Sequence, residues 1–168
     1  GMAPTTSTIL TMALGDALAV ALMEQRDFKP EDFKVLHPGG NLGLQMLTVS
    51  QLMRNKTEMA IVKDDLTMSA VVSCMTQSGF GVAILVDENG ILSGIITDGD
   101  LRRNINDILS LSPRDIATLN PTSVQPTDLV SVALEKMEKS KVYAIVVIED
   151  DKPIGLLRMH DVLRSGIK

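Results

Sequence analysis

Two stretches of this chain, GIITDGDL at 94–101 and GLLRMHDV at 155–162, share one grammar: a glycine, branched apolar residues, a polar turn, and an acid that opens a helix. Each closes a longer repeat. Leu66 pairs with Leu129, Asp65 with Asp128, Ala70 with Ala133 and Cys74 with Met137 at an offset of 63. Gly94 pairs with Gly155, Asp100 with Asp161 and Val82 with Tyr143 at an offset of 61. The second copy has therefore lost two residues in the turn around Ser78–Gly81. Whatever one copy forms, the other must form too, and units too small to bury a sheet alone must bury it against each other.

Each copy reads as β-α-β-β-α. A short helical start (Ser50–Met53; Pro113–Ala117, with Ser112 and Asp115 spaced as a capping box) leads into a brief extended piece. The amphipathic helix that follows is expected to begin at Asp64 or Thr127. It would carry Leu66, Ala70, Val71 and Cys74 in one copy and Leu129, Ala133, Leu134 and Met137 in the other. The strands Val82–Val86 and Ala144–Ile148 are continuously apolar, so both faces should be covered. A turn rich in Asp, Glu, Asn and Gly, a second strand and a last helix complete each unit.

Residues before about 48 stand outside the repeat. TILTMALGDALAVALMEQ is apolar nearly all round, as a helix inside a larger protein would be, yet only PTTST precedes it. This block reads as the tail of a domain whose remainder is missing, with Gly1 before Met2 as a tag remnant. Ile9–Met23 is too short for a spanning helix, contains Asp16 and follows no basic region, so neither a membrane span nor a signal peptide is expected.

With 168 residues the chain has room for one ordinary domain or two very small ones. A net charge of -5 and 2% aromatic residues leave no basic or base-stacking footprint, so no nucleic acid and no membrane partner is expected. The one cysteine, Cys74, reads as a small buried hydrophobe in a reducing cytoplasm, and the ten methionines as gap fillers.

The motif at the repeat's end admits two readings. Thr97 followed three residues later by Asp100 is a capping box, and Asp161 gains from a helix dipole even though Arg158 has replaced the capping residue. Alternatively, a carboxylate at a helix mouth accepts hydrogen bonds from a ribose diol, while the hydroxyl and free N–H groups hold phosphate, with Arg102, Arg103 and Arg158 near enough to assist.

The signatures GIITDGDL and GLLRMHDV, the strands VAILV and AIVVI and the joints Gly79–Val82 and Val142–Ala144 resemble a tandem pair of CBS domains. The resemblance implies an α+β fold of two β-α-β-β-α units docked sheet to sheet, at 48–110 and 111–168. It implies a nucleotide ligand such as AMP or ATP in the cleft between the units, contacted by Thr97, Asp100 and Asp161, with Arg158, Phe80 and Tyr143 in the same site. Arg158 departs from the family's Thr or Ser, which puts the second site's usual chemistry in question. The blocks APTTST, GDALAVALME and HPGGNLG resemble the end of the sugar isomerase domain of arabinose-5-phosphate isomerases, so residues 1–47 would be the helical remnant of a truncated α/β sugar isomerase domain. That family interconverts D-ribulose 5-phosphate and D-arabinose 5-phosphate on the way to Kdo, for lipopolysaccharide or capsule.

The same resemblance makes His37 an active-site residue of the parent enzyme only, reaching in from a neighbouring subunit. By residue type alone His37 reads equally well as a loop histidine beside two glycines. The chain by itself is expected to be catalytically silent, to need no cofactor and to be cytoplasmic. It should form at least a dimer through the pair, within a tetrameric parent, and sense a nucleotide or a sugar nucleotide such as CMP-Kdo. The alternative is a purely structural oligomerisation module with no ligand. His160 beside Asp161 has no metal-ligand spacing around it, so no metal is expected.

Overall fold

The longest apolar run folds as helix α1, Thr5–Gln25, in the first of two compact units, residues 1–44 and 45–168. The computed structural model describes residues 4–28, 32 and 46–165. His37 and the HPGG loop lie outside the described residues. The helix outruns the apolar segment because its first turn is threonine- and serine-rich, and Ser7 Oγ and Thr8 Oγ1 donate to the Pro4 carbonyl at 3.1 and 2.6 Å. Its 21 residues, with a mean hydropathy of 1.6, are long and apolar enough to cross a membrane by length and composition. That corrects the shorter span read from Ile9–Met23, although a soluble protein's core helix meets the same test. All its residues are exposed.

In the second unit, helix α2 (Val49–Leu52) is capped by Thr48, whose N–H donates to Gln51 Oε1 at 3.2 Å. Strand β1 (Arg54–Asn55), a 3-10 turn (Lys56–Glu58), β2 (Ala60–Lys63), α3 (Met68–Ser78), β3 (Val82–Val86), β4 (Leu92–Thr97) and α4 (Asp98–Arg103) follow. The second copy repeats the order: α5 (Pro113–Ile116), β5 (Thr118–Leu119), β6 (Ser123–Val124), α6 (Val130–Ser140), β7 (Ala144–Glu149), β8 (Lys152–Arg158) and α7 (Met159–Arg164). The expected capping box at Ser112 and Asp115 forms, with the Ser112 N–H donating to Asp115 Oδ2 at 2.9 Å.

The long helices begin later than the expected starts at Asp64 and Thr127. Thr67 caps α3, its hydroxyl accepting from the Ala70 N–H at 3.4 Å, and α6 starts at Val130 with no side-chain cap. The acid before α6 is used elsewhere: Asp128 Oδ2 accepts from the Gln125 N–H at 3.0 Å, closing the preceding turn. Leu66 and Leu129 therefore precede the helices and are exposed, and the buried stripe of α3 is Met68, Val71 and Met75. Cys74 is only half-buried at its edge.

Within the second unit each repeat has its own sheet, but the sheets exchange their outer strands. One has the order β2-β3-β4-β5 and the other β1-β8-β7-β6. Within each, the strand before the long helix runs parallel to the one after it, and the final hairpin is antiparallel. β1, from the first copy, pairs with β8 of the second, while β5, from the second, pairs with β4 of the first. A division of the sequence at 110 thus falls between strands and leaves β1 and β5 each in the sheet of the other copy.

Strand β3 is buried at all five positions because it has two partners. Ala83 and Leu85 face Met68, Val71 and Met75 of α3. Val82 and Ile84 face Val146 and Leu156 of the other sheet. The continuous run VAILV is the record of that two-sided burial, and the two sheets dock face to face as the repeat requires.

Candidate functional site

Two cavities open on the strand-exchanged sheets, and the larger lies at the first terminal signature. In the first, β4 delivers Thr97 to the start of α4, where the hydroxyl accepts from the Asp100 N–H at 3.4 Å and donates to Asp100 Oδ2 at 2.6 Å. The Thr97 N–H donates to the same oxygen at 2.8 Å, and Arg103 Nη2 binds the other oxygen. The capping box is therefore complete, and Asp100 is buried. Arg103 is not fixed in the same way, since its side chain is 70% exposed.

This box opens onto a cavity of about 880 Å³ lined also by Phe80, Tyr143, Arg158 and His160. Of the charged residues around it, Arg102, Arg103, Lys141 and Arg158 outnumber Asp98 and Asp100. An excess of cations is unexpected locally in a chain of net charge -5, and it suits an anion. Two backbone features shape the rim. Gly81 sits at φ +66°, and a Cβ there would run into the Asp98 carboxylate, while its carbonyl accepts the Asp98 N–H at 3.0 Å. Lys141 closes α6 in the left-handed region at φ 55°, where α3 has Gly79. A lysine held in a conformation that glycine adopts freely puts a cation on the cleft at some conformational cost.

The second cavity, of about 460 Å³, is lined by residues that include Glu58, Met59, Gln77 and Phe80 and by neither Arg158 nor Asp161. Phe80 lines both cavities and stands between them, with the Arg158 guanidinium 4.4 Å from its ring centroid. From there Arg158 reaches Asp161, Nε to Oδ2 at 2.8 Å and Nη2 to Oδ1 at 3.0 Å. Arg54 Nη2, on the exchanged strand β1, adds a bond to Asp161 Oδ1 at 3.1 Å.

The structure thus brings Thr97, Asp100, Arg158, Phe80 and Tyr143 around one cavity and leaves Asp161 outside its lining, bound to arginines. Sequence reading missed Arg54 and Lys141. Lys141 carries a signal in the repeat, as a lysine in a helix-to-strand joint where the other copy is rich in glycine. Arg54 carries none, because the exchange of β1 places it 107 residues from its partner.

The Asp161 carboxyl is held down to about 2, chiefly by the Arg158 hydrogen bonds and further by Arg54, against burial that pushes it up. A depressed carboxylate stabilises the fold above its ordinary value of 3.8, and that contribution is lost as pH falls through the folded value. Urea unfolding is expected to show a loss of about 1 kcal/mol between pH 5 and 2 from this group, after allowing for screening of the exposed guanidinium ends. Asp161→Asn should flatten that part of the profile; an unaltered profile would mean that the ion pairs do not form in solution.

Comparison with known proteins places these features. The CBS domain model matches residues 49–107 and 114–168. The chain is 41% identical to the arabinose 5-phosphate isomerase KdsD of Pseudomonas aeruginosa, over 99% of this chain and 52% of that protein. It is 39% identical to KdsD of Escherichia coli K12 over the same shares. The chain therefore spans about half the length of the curated relatives it matches. Among solved structures, CBSX2 in complex with AMP superposes with a TM-score of 0.63 at 22% identity, covering 71% of this chain and 95% of that one. The CBS domain pair of MJ0100, in complex with 5'-methylthioadenosine and S-adenosyl-L-methionine, gives 0.64 at 19% identity, covering 70% and 98%.

Proposed function

The chain belongs to the CBS domain family, and we propose that it is the ligand-sensing region of an arabinose-5-phosphate isomerase, with a nucleotide or sugar nucleotide as its signal. The observation that carries this reading is the first cleft, where a buried acid and a hydroxyl at a helix start share one cavity with two aromatic rings and four cations. Asp100 would accept the ribose diol once Arg103 swings out to the phosphates, a movement that its 70% exposure allows. Phe80 and Tyr143 would bracket the base, and Tyr143, 81% exposed, has the most apolar surface to gain by it. The solved relatives with AMP and with S-adenosyl-L-methionine support the ligand class.

Similarity to KdsD over nearly the whole chain supports an isomerase parent acting between D-ribulose 5-phosphate and D-arabinose 5-phosphate, toward Kdo. The base and phosphate cradle of such a reaction would come from outside this chain, with His37 contributing in the parent only. CMP-Kdo, whose phosphate and sugar carboxylate are both anionic, suits the cationic rim. The assembly would be a cytoplasmic dimer through the pair, within a larger parent oligomer. Regulation further requires that the ligand bind two conformations with different affinity.

A second reading is favoured by one observation: both Asp100 oxygens are already bonded, one by its own capping box and the other by Arg103. On that reading the pair only joins subunits. A thermal-shift screen with AMP, ADP, ATP, CMP and CMP-Kdo separates the two. A ligand at about 100 times its dissociation constant stabilises by roughly 2.7 kcal/mol, a rise of several degrees. Asp100→Ala is expected to abolish that rise. No shift with any of the five in a folded sample would leave the structural reading.

A further inference from the structure

The repeat relates the two clefts, yet their chemistry differs. On β1, Arg54 faces Leu156, five residues before Asp161; on β5, Thr118 faces Ile95, five residues before Asp100. Arg54 and Thr118 therefore hold the same place on the two exchanged strands. Arg158 stands three residues before its acid, as Thr97 does before Asp100. Two threonines of the first cleft are thus two arginines in the second, and both arginines are committed to Asp161.

We propose that Arg54 and Arg158 seal the second cleft against nucleotides, so that this pair takes one ligand although its repeat offers two places. The inference rests on the proposed function for the identity of the first site. A diol approaching Asp161 would have to displace a bidentate guanidinium at 2.8 and 3.0 Å and a second one at 3.1 Å. The displaced cations would lose a buried carboxylate partner, which makes the exchange unfavourable. Reaching the acid already leaves Arg54 Nε buried without a hydrogen-bond partner. Asp100, by contrast, has a single exposed arginine to release. Charge points the same way: among the described residues the one charged group lining the second cavity is Glu58, which adds no cation for phosphate and is itself bridged to Arg54 at 3.7 Å. Arg158 also lines the first cavity, so the residue that closes one cleft supplies a cation to the other.

Calorimetric titration with AMP counts the sites directly. The unaltered chain is expected to bind one AMP, and the double variant Arg54→Thr, Arg158→Thr to bind two, the first-cleft site being weakened by loss of Arg158. Arg164 follows Asp161 at the spacing at which Arg103 follows Asp100, so the variant keeps a cation near its buried acid. Two AMP on the unaltered chain, or no site gained by the variant, would overturn the sealing. No AMP bound by the unaltered chain with one site in the variant would uphold the sealing and exclude AMP as the first cleft's ligand; none bound by either would overturn the sealing, while the five-ligand thermal-shift screen decides the proposed function separately. Should the double variant fail to melt cooperatively, Arg54→Thr is titrated by the same criterion, because Arg54 is not part of the first cavity's lining.

Discussion

Replacing Ile84 with alanine is expected to cost the second unit about 3 kcal/mol, read as a lower urea midpoint at unchanged slope. Ile84 is 1% exposed and lies in the layer between the sheets, against Val146 and Leu156 of the opposite one. No helix can move in to fill the void, because both walls are hydrogen-bonded strands, so the cavity left by three carbon atoms should persist. For a unit of this size the loss is a large share of a total of roughly 5–15 kcal/mol. A single transition is expected throughout, since the exchanged strands make each sheet depend on the other. Leu109→Ala is the control: it is 76% exposed and should change stability by no more than about 0.5 kcal/mol. A cost below about 1 kcal/mol at Ile84, or two separate transitions, would mean that the sheets are not one cooperative unit.

The residues that make this layer were legible because burial on two faces writes itself into composition. VAILV could be covered on one side by a helix and on the other by its own repeat. The capping box at Thr97 was legible for a similar reason: its two bonds close within four residues. What failed was everything whose cause lies far along the chain. Helix starts at Met68 and Val130 were misplaced because Asp64 is paired with Arg114 and Asp128 closes a turn, while Thr67 does the capping of the first helix and the second has no side-chain cap. The exchange of β1 and β5 was invisible because two-residue strands have no periodicity to read. With it went Arg54, whose meaning depends wholly on which sheet its strand joins. The departure of Arg158 from its threonine was visible, but its partner was not, and the pair of arginines explains the substitution better than either residue alone.

Gly155→Val is expected to be the most damaging change to that exchange. A Cβ at Gly155 would lie 2.6 Å from Met53 Sδ and 2.9 Å from the Arg54 carbonyl oxygen, both on the segment that forms β1. The thioether can turn aside, but the carbonyl is backbone and can yield only if β1 moves off β8. Valine adds two methyl groups to that clash, and about 3 kcal/mol should be lost from overpacking and strand displacement together. The equivalent Gly94 is less confined, its nearest neighbours being Ala117 Cβ and the Thr118 carbonyl oxygen at 3.2 Å, so Gly94→Val should cost less. The two also differ in what they release. Displacing β1 takes Arg54 away from Asp161, so Gly155→Val should weaken the acid-dependent part of the stability profile between pH 5 and 2, and Gly94→Val should leave it intact. Urea titrations of both variants at pH 7 and pH 3 read the two effects at once. Equal costs at the two glycines, or an acid profile untouched by Gly155→Val, would mean that β1 is not held against Gly155 and that Arg54 reaches Asp161 by another path.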